Sequence, residues 1–381
     1  MPDLVSILIP AYNAECWIAH TVRSALAQTW PRTEIIIVDD GSGDRTLSIA
    51  RHFASKSVSV VTQDNQGGSA ARNRAFSLCQ GDFIQWLDAD DLLSQDKIAR
   101  QMEAAVKAAD RHMLFSCAWG YFMYRSHRCR FDPTPLWTDL APLEWLVRKW
   151  ENSAHMNPAT WLVSRELTET AGPWDTRLIY CEDGEYFCRV ILASKGIRFV
   201  PEATVFYRAA TSCSASYMGR SIRKMESHLL SRQLEISHVR ASEDGERVRA
   251  ACLKSLQTVL INFYPEQPTL VRRSQQLAAA LGGRLETPRL SWKYLVIQKV
   301  FGLAAAKRVH RHWNRFKWSI MRSWDKALFR VEGGLSVSCY LACRFVDDLG
   351  NGDFCWQPEP LTKLLIFAPW LDFSALPSLA A

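Results

Sequence analysis

Three carboxylates fall within four positions, Asp88, Asp90 and Asp91, at the end of the mostly apolar run Phe83-Ile84-Gln85-Trp86-Leu87. The run reads as a buried strand, so the acids stand where a strand stops. Like charges this close repel one another and desolvate poorly, which calls for something positive beside them. A divalent cation answers that need. Hard carboxylate oxygens suit Mg²⁺ or Mn²⁺, and Mg²⁺ is usually held by one or two carboxylates while the phosphates of a bound nucleotide complete the octahedron. A solvated acidic turn capping a helix that begins near Ser94 has the same local sequence, and the rest of the chain must decide between the two.

The elements that position these acids follow in chain order. Residues 4–9 read as a first buried strand, closed by Pro10-Ala11-Tyr12-Asn13. Ile18, Val22, Ala25, Leu26 and Thr29 recur at helical spacing, with Asn13 as N-cap and Pro31 beyond the end. Glu34-Ile35-Ile36-Ile37-Val38 is a β-branched run suited to a strand buried on both faces of a parallel sheet. A helix at 45–53, a strand at 58–62 and a helix at 70–79 lead to the acidic strand end. This rhythm predicts a doubly wound, mostly parallel α/β sheet. Ligands in such sheets bind at the carboxyl ends of the strands, where Pro10–Asn13, Asp39–Ser42 and Asp88–Asp91 are all expected. There Tyr12 offers an aromatic face to a base, and Asp40 accepts hydrogen bonds from a base imide or a ribose hydroxyl. Gly67 and Gly68, followed by Ser69-Ala70-Ala71-Arg72-Asn73-Arg74, open a helix whose N-terminus and arginines suit a diphosphate. Each feature also has an ordinary reading: Tyr12 as packing, Asp39-Asp40-Gly41-Ser42 as a turn and helix cap, Arg72 as the partner of a surface acid.

Taken in order, Pro10-x-Tyr12-Asn13, Val38-Asp39-Asp40-Gly41-Ser42, Asn65-x-Gly67 with Ala71-Arg72-Asn73, Gly81-Asp82-Phe83-Ile84 and Leu87-Asp88-Ala89-Asp90-Asp91 resemble the signature of family 2 glycosyltransferases of the GT-A fold. The resemblance continues to about residue 210 through Asn157-Pro158-Ala159-Thr160, Gly172-Pro173-Trp174-Asp175 and Glu182-Asp183-Gly184-Glu185. It implies a catalytic domain over 1–210, with a nucleotide-sugar-binding half (1–110) and an acceptor half (111–210). It further implies that Asp40 holds the uracil or other base of the donor beside Pro10, Ala11, Tyr12 and Asn13, that Asp88 lies near the ribose, and that Asp90 binds the metal bridging the diphosphate. Asp183 matches the family's general base, with Glu182 orienting a partner or binding an acceptor hydroxyl. An inverting transfer is one in-line displacement, in which a carboxylate deprotonates the acceptor while a cation offsets charge on the departing diphosphate. The pair also reads as capping carboxylates ahead of a helix at Glu185–Lys195.

The expected function is therefore inverting, metal-dependent transfer of a single sugar from a nucleotide-diphospho-sugar, UDP-linked in expectation, to a glycan or lipid-linked acceptor in bacterial-type cell-surface glycan or glycolipid synthesis. The Gln-x-x-Arg-Trp mark of processive synthases is missing from the chain. A non-catalytic sugar-nucleotide-binding protein would keep Asp40 and the glycines but not need Asp90 and Asp183. A nucleotidyltransferase would want a glycine-rich loop after the first strand, where Pro10-Ala11-Tyr12-Asn13 stands.

Composition sets the outer limits. The 381 residues carry a net charge of +7 and 11 cysteines without a C-x-x-C pair, which argues against a disulfide framework or zinc site and for a reducing compartment. The first residues lack the basic region of a signal peptide, and no apolar run is long enough to span a bilayer. A cytoplasmic location is expected. Residues 211–330 read as a helical extension and 331–381 as an irregular tail. The positive charge is local: 284–330 hold 12 Lys and Arg against Glu286 and Asp325. Within 303–330, Trp313, Phe316, Ile320, Trp324 and Leu328 recur at three- and four-residue steps among Arg308, Arg311, Arg315, Arg322 and Lys326. Such a helix suits an anionic membrane at the inner face of the plasma membrane, or docking on the domain with its charges in water. Nucleic-acid binding is not expected, since no recognised nucleic-acid-binding fold accompanies the charge.

Overall fold

Alternating apolar runs and helical periods fold into strands joined by helices: β1 (Val5–Ala11), α1 (Ile18–Leu26), β2 (Thr33–Asp39), α2 (Thr46–Arg51), β3 (Val58–Thr62), α3 (Gly68–Leu78), β4 (Phe83–Trp86), β5 (Leu92–Leu93) and α4 (Lys97–Ala108). Then come β6 (Met113–Phe122), β7 (Arg130–Phe131), α5 (Pro142–Glu151), β8 (Val163–Ser164), α6 (Arg165–Ala171), α7 (Glu182–Ala193) and β9 (Gly196–Arg208). Four helices follow: α8 (Ile222–Ser242), α9 (Glu246–Leu260), α10 (Pro268–Ala280) and α11 (Leu295–Glu332). This computed structural model describes residues 2–209, 218, 221–288 and 290–332.

The first sheet has the order β3-β2-β1-β4-β8, with β3, β2, β1 and β4 parallel and β8 antiparallel. Ile7, Leu8, Ile9 and Ile35–Val38 are buried on both faces, as central strands covered by helices require. From β1 the chain crosses to β2 and β3 on one side, and β4 lies on the other. That reversal splays the carboxyl ends of β1 and β4 into a crevice.

A second sheet, β5-β9-β6-β7, was not foreseen in the sequence. Its backbone is the long parallel pair β6 and β9. After Trp86 the chain turns through 87–91 and enters β5, pairing Leu92 with Phe206 and Leu93 with Val205. The acidic turn is thus anchored at both ends, one in each sheet.

Several expectations are corrected. Pro10 and Ala11 belong to β1 rather than to the loop, and α1 is capped at Trp17, not Asn13. Asn13 instead takes a left-handed backbone (φ 48°), which asparagine tolerates better than most residues. The helix expected near Ser94 starts at Lys97, and the one expected at Glu185–Lys195 runs from Glu182 to Ala193.

The chain divides into two compact units, Met1–Ala306 and Lys307–Ala381. In the first, α8 packs on α7, α9 on α5 and α8, and α10 on α9 and α8. The described part of the second is the C-terminal portion of α11, a helix interrupted at Gly302 by a φ of 80°. The tail read as irregular lies, from 333 on, outside the described residues. No helix among the described residues is long and apolar enough to cross a membrane.

Candidate active site

The first two loops at the crevice are bonded to each other. Asp40 N–H donates to Ala11 O (2.8 Å), Asn13 N–H to Ser42 Oγ (3.0 Å) and Gly43 N–H to Asn13 Oδ1 (2.9 Å). Tyr12 stays 54% exposed at the rim. Asp40 is only 2% exposed, and its carboxylate accepts from Gln63 Nε2 (2.8 Å), Gln66 N–H (3.0 Å) and Gly67 N–H (2.8 Å). It therefore orders the loop leading to Gly67, whose φ of 92° lets the chain turn into α3.

Side chains of α3 then reach across to the segment before α7. Asn73 holds the backbone of Trp174 from both sides (Nδ2 to Trp174 O, 2.9 Å; Trp174 N–H to Oδ1, 2.8 Å). Arg72 is 6% exposed; its Nη2 donates to Asp88 Oδ1 (2.7 Å) and its Nη1 to Glu182 Oε1 (3.0 Å). The guanidinium lies 4.5 Å from the centre of the Trp174 ring, which in turn stacks on Tyr186 at 3.9 Å. Burial works against its charge, but the two carboxylates outweigh it. Arg72 thus links the acidic turn to α7 and is occupied by two acids rather than presented to a diphosphate.

The three acids of the turn separate into different roles. Asp91 is fully buried and accepts from Arg208 N–H (2.8 Å) and Asn157 Nδ2 (2.8 Å), joining the turn to β9 and to the Asn157-Pro158 segment. Arg208 is buried too, donating from Nε to Asp90 O (2.8 Å) between the rings of Trp17 and Phe122. Asp88 gives Oδ1 to Arg72. Burial and then the neighbouring Asp88 push the Asp90 carboxyl up to about 6, against the pull of Arg208. Burial, Asp90 and Asp88 raise Asp91 as well, but Asp91 has two hydrogen-bond donors, whereas no side-chain donor to the Asp90 carboxylate exists among the described residues. A carboxylate that resists ionisation for want of a close cation is one that a divalent ion relieves. No three His, Cys, Asp or Glu side chains form a metal cage among the described residues. Asp90, with Asp88 beside it, fits a Mg²⁺ or Mn²⁺ whose other ligands come from a nucleotide and solvent.

Glu182 and Asp183 occupy the first turn of α7, where the helix dipole favours negative charge. Glu182 is held by Arg72. No side-chain hydrogen bond to the Asp183 carboxylate exists among the described residues, and burial, opposed by Lys149 and Arg72 and reinforced by Asp88, raises its pKa. The two neighbours along the backbone are therefore divided, one bound and one available.

Other residues escaped the sequence reading. Lys149 on α5 and Ser227, Ser231 and Glu235 on α8 surround the start of α7. The spacing of the last three, four residues apart on one helix face, was the available signal.

Residues 6–168 match the model of the family described as glycosyl transferase family 2. The chain is 29% identical over 216 residues to the uncharacterized glycosyltransferase EpsJ of Bacillus subtilis, covering 55% of this chain and 62% of that one. It is 36% identical over 105 residues to the Escherichia coli UDP-Glc:alpha-D-GlcNAc-diphosphoundecaprenol beta-1,3-glucosyltransferase WfgD, covering 27% of this chain and 42% of WfgD. The first curated relatives are matched over only 40–62% of their own length. Among solved structures, residues 1–349 of S. aureus TarS in complex with UDP-GlcNAc superpose with a TM-score of 0.58 at 17% identity, covering 73% of this chain and 81% of that one, which shows a common fold. Over residues 6–168 this chain is thus similar to glycosyl transferase family 2, and it shares the fold of TarS.

Proposed function

We propose that the protein is an inverting, metal-dependent glycosyltransferase that moves one sugar from a UDP-linked donor to the hydroxyl of a glycan or lipid-linked acceptor. The observation that carries this reading is the available Asp183 carboxylate beside an acidic turn in which Asp90 lacks full compensation. The donor class is supported by the UDP-GlcNAc complex of TarS, and the lipid-linked acceptor class by WfgD, whose name gives a diphosphoundecaprenol-linked GlcNAc as acceptor.

In the reaction, Asp183 accepts the proton of the acceptor hydroxyl while the acceptor oxygen forms a bond to the anomeric carbon. The bond from that carbon to the diphosphate breaks on the opposite face, and the nucleoside diphosphate leaves with the electron pair. A raised carboxyl pKa brings the base nearer the working pH, which favours proton transfer. Asp90, with Asp88 beside it, would hold a Mg²⁺ or Mn²⁺, which when bound would supply positive charge for a diphosphate. Pro10, Ala11, Tyr12, Asn13, Asp40 and Gly67 form the donor end, with Asp88 and Arg72 fixing the junction to α7. Residues 303–330 meet an anionic membrane at its cytoplasmic face: Trp313, Phe316 and Trp324 are exposed on a helix rich in Lys and Arg.

The test is a panel of UDP-sugars assayed for hydrolysis and transfer with Mn²⁺. Asp183→Asn is expected to lower turnover by about 10²–10⁴-fold with donor affinity nearly intact. Glu182→Gln is expected to cost less. Wild-type turnover in Asp183→Asn would remove the assignment of the base, and full activity in EDTA that of the metal.

A further inference from the structure

Helix α8 lies outside the residues matched by the family model, yet it grips the three residues that lead into α7. Ser227 Oγ accepts from Ile179 N–H (2.9 Å) and Tyr180 N–H (3.0 Å) and lies 3.0 Å from Tyr180 O. One turn on, Ser231 Oγ donates to Cys181 O (2.7 Å) and lies 3.2 Å from Glu235 Oε1. Cys181 carries a left-handed backbone (φ 57°), which a non-glycine residue keeps only when its surroundings impose it. One more turn on, Glu235 is buried, bonded to Arg232 Nη1 (2.9 Å) and 3.6 Å from Lys149 Nζ on α5. A methyl group at Gly184 would stand 2.9 Å from Glu235 Oε1, so α7 and α8 approach closely just past Asp183.

From this geometry we infer that α8 and Lys149 form the seat of the catalytic base: Ser227 and Ser231 fix the path of 179–181, and Glu235 fixes the Lys149 ammonium, sharing its charge with Asp183. Lys149 and Glu235 are positioning residues, since they act through Asp183. The inference rests on the reading of Asp183 as the base. The other charged and titratable groups facing this start of α7 are Tyr180 and Cys181 just before it, Glu182 on α7, Arg72 on α3, Asp88 in the acidic turn, and Arg232, His228 and Lys224 on α8. Lys149 is the first of the cations that hold the Asp183 pKa down against burial.

Removing Glu235 frees Lys149 and Arg232 to favour the charged form of Asp183, whereas removing the Lys149 charge disfavours it. The measurement is the pH dependence of UDP-GlcNAc hydrolysis by the full chain with Mn²⁺, alongside the calorimetric Kd for UDP. Relative to wild type, Glu235→Gln is expected to move the acid limb of kcat to lower pH by about half to one unit, and Lys149→Met to move it up by a similar amount. Lys149→Arg should restore the limb, and UDP affinity should stay within about twofold in all variants, because the nucleotide loops lie elsewhere. Coincident acid limbs in folded Lys149→Met, Lys149→Arg and wild type would overturn the inference. If Glu235→Gln does not fold, the two Lys149 variants decide alone. Asp183→Asn separates the two levels. If it abolishes the acid limb while the Lys149 variants leave it in place, only the seat is wrong; if it leaves limb and rate unchanged, the base is wrong.

Discussion

Asp90→Asn should stabilise the metal-free protein while abolishing transfer. The Asp90 carboxyl rises from an ordinary 3.8 to about 6 because burial and Asp88 both penalise its charge. At about 1.36 kcal/mol per pH unit, that difference costs the folded chain roughly 3 kcal/mol once the group is ionised. Because Asp88 and Arg208 share the interaction, a gain of about 1–3 kcal/mol is the reasonable expectation for asparagine. The sign follows from the direction of the rise. Below about pH 4 Asp90 is protonated in both folded and unfolded chains, so it adds no penalty. Between 3.8 and about 6 the unfolded chain ionises first, stability falls, and the full penalty remains at pH 7.5. Urea unfolding followed by tryptophan fluorescence in EDTA reads this directly, as a higher midpoint for Asp90→Asn at pH 7.5 that converges with wild type near pH 4. Adding Mn²⁺ and UDP should narrow the gap at pH 7.5, because only wild type gains from binding. An asparagine variant equal to or weaker than wild type at pH 7.5 in EDTA would mean that the protein compensates Asp90 itself and has no unmet need for a cation.

Two further outcomes are expected. Arg72→Ala strands Asp88 and Glu182 and should cost about 3 kcal/mol in urea unfolding, the low end for a broken buried pair because both acids are partly exposed, with Arg72→Lys in between; unchanged stability with a loss confined to donor affinity would make Arg72 a diphosphate ligand instead of a clasp. The full chain should sediment with phosphatidylglycerol vesicles, come off in high salt as surface charge is screened, and lose binding in Trp313→Ser with Phe316→Ser; identical recovery with neutral and anionic vesicles would contradict membrane contact through this helix.

The parallel half of the fold was legible because its strands are buried on both faces and announce themselves as apolar runs: Ile35–Val38 and Phe83–Trp86 were read within a residue or so of their observed limits. The second sheet was not, because β6 and β9 meet only through pairing between distant parts of the chain. Asn13 shows a different limit. Its residue type suits an N-cap, but the bonds to Ser42 and Gly43 that hold it in a left-handed turn come from another loop.

From the order and spacing of its motifs, the sequence by itself determined the doubly wound fold, the resemblance to a family, and the loops that gather at the crevice. Those properties are local: a strand end, a glycine turn and an acidic cluster each need only neighbours in the chain. Tertiary structure decided how the acids divide their labour. Asp91 goes to Asn157 and β9, Asp88 and Glu182 to Arg72, and Asp90 and Asp183 are left without a full set of partners. Five carboxylates of one chemistry acquire separate roles because ionisation and availability depend on burial and on charges brought from α3, α5, α8 and β9, and that arrangement exists only once the chain is folded.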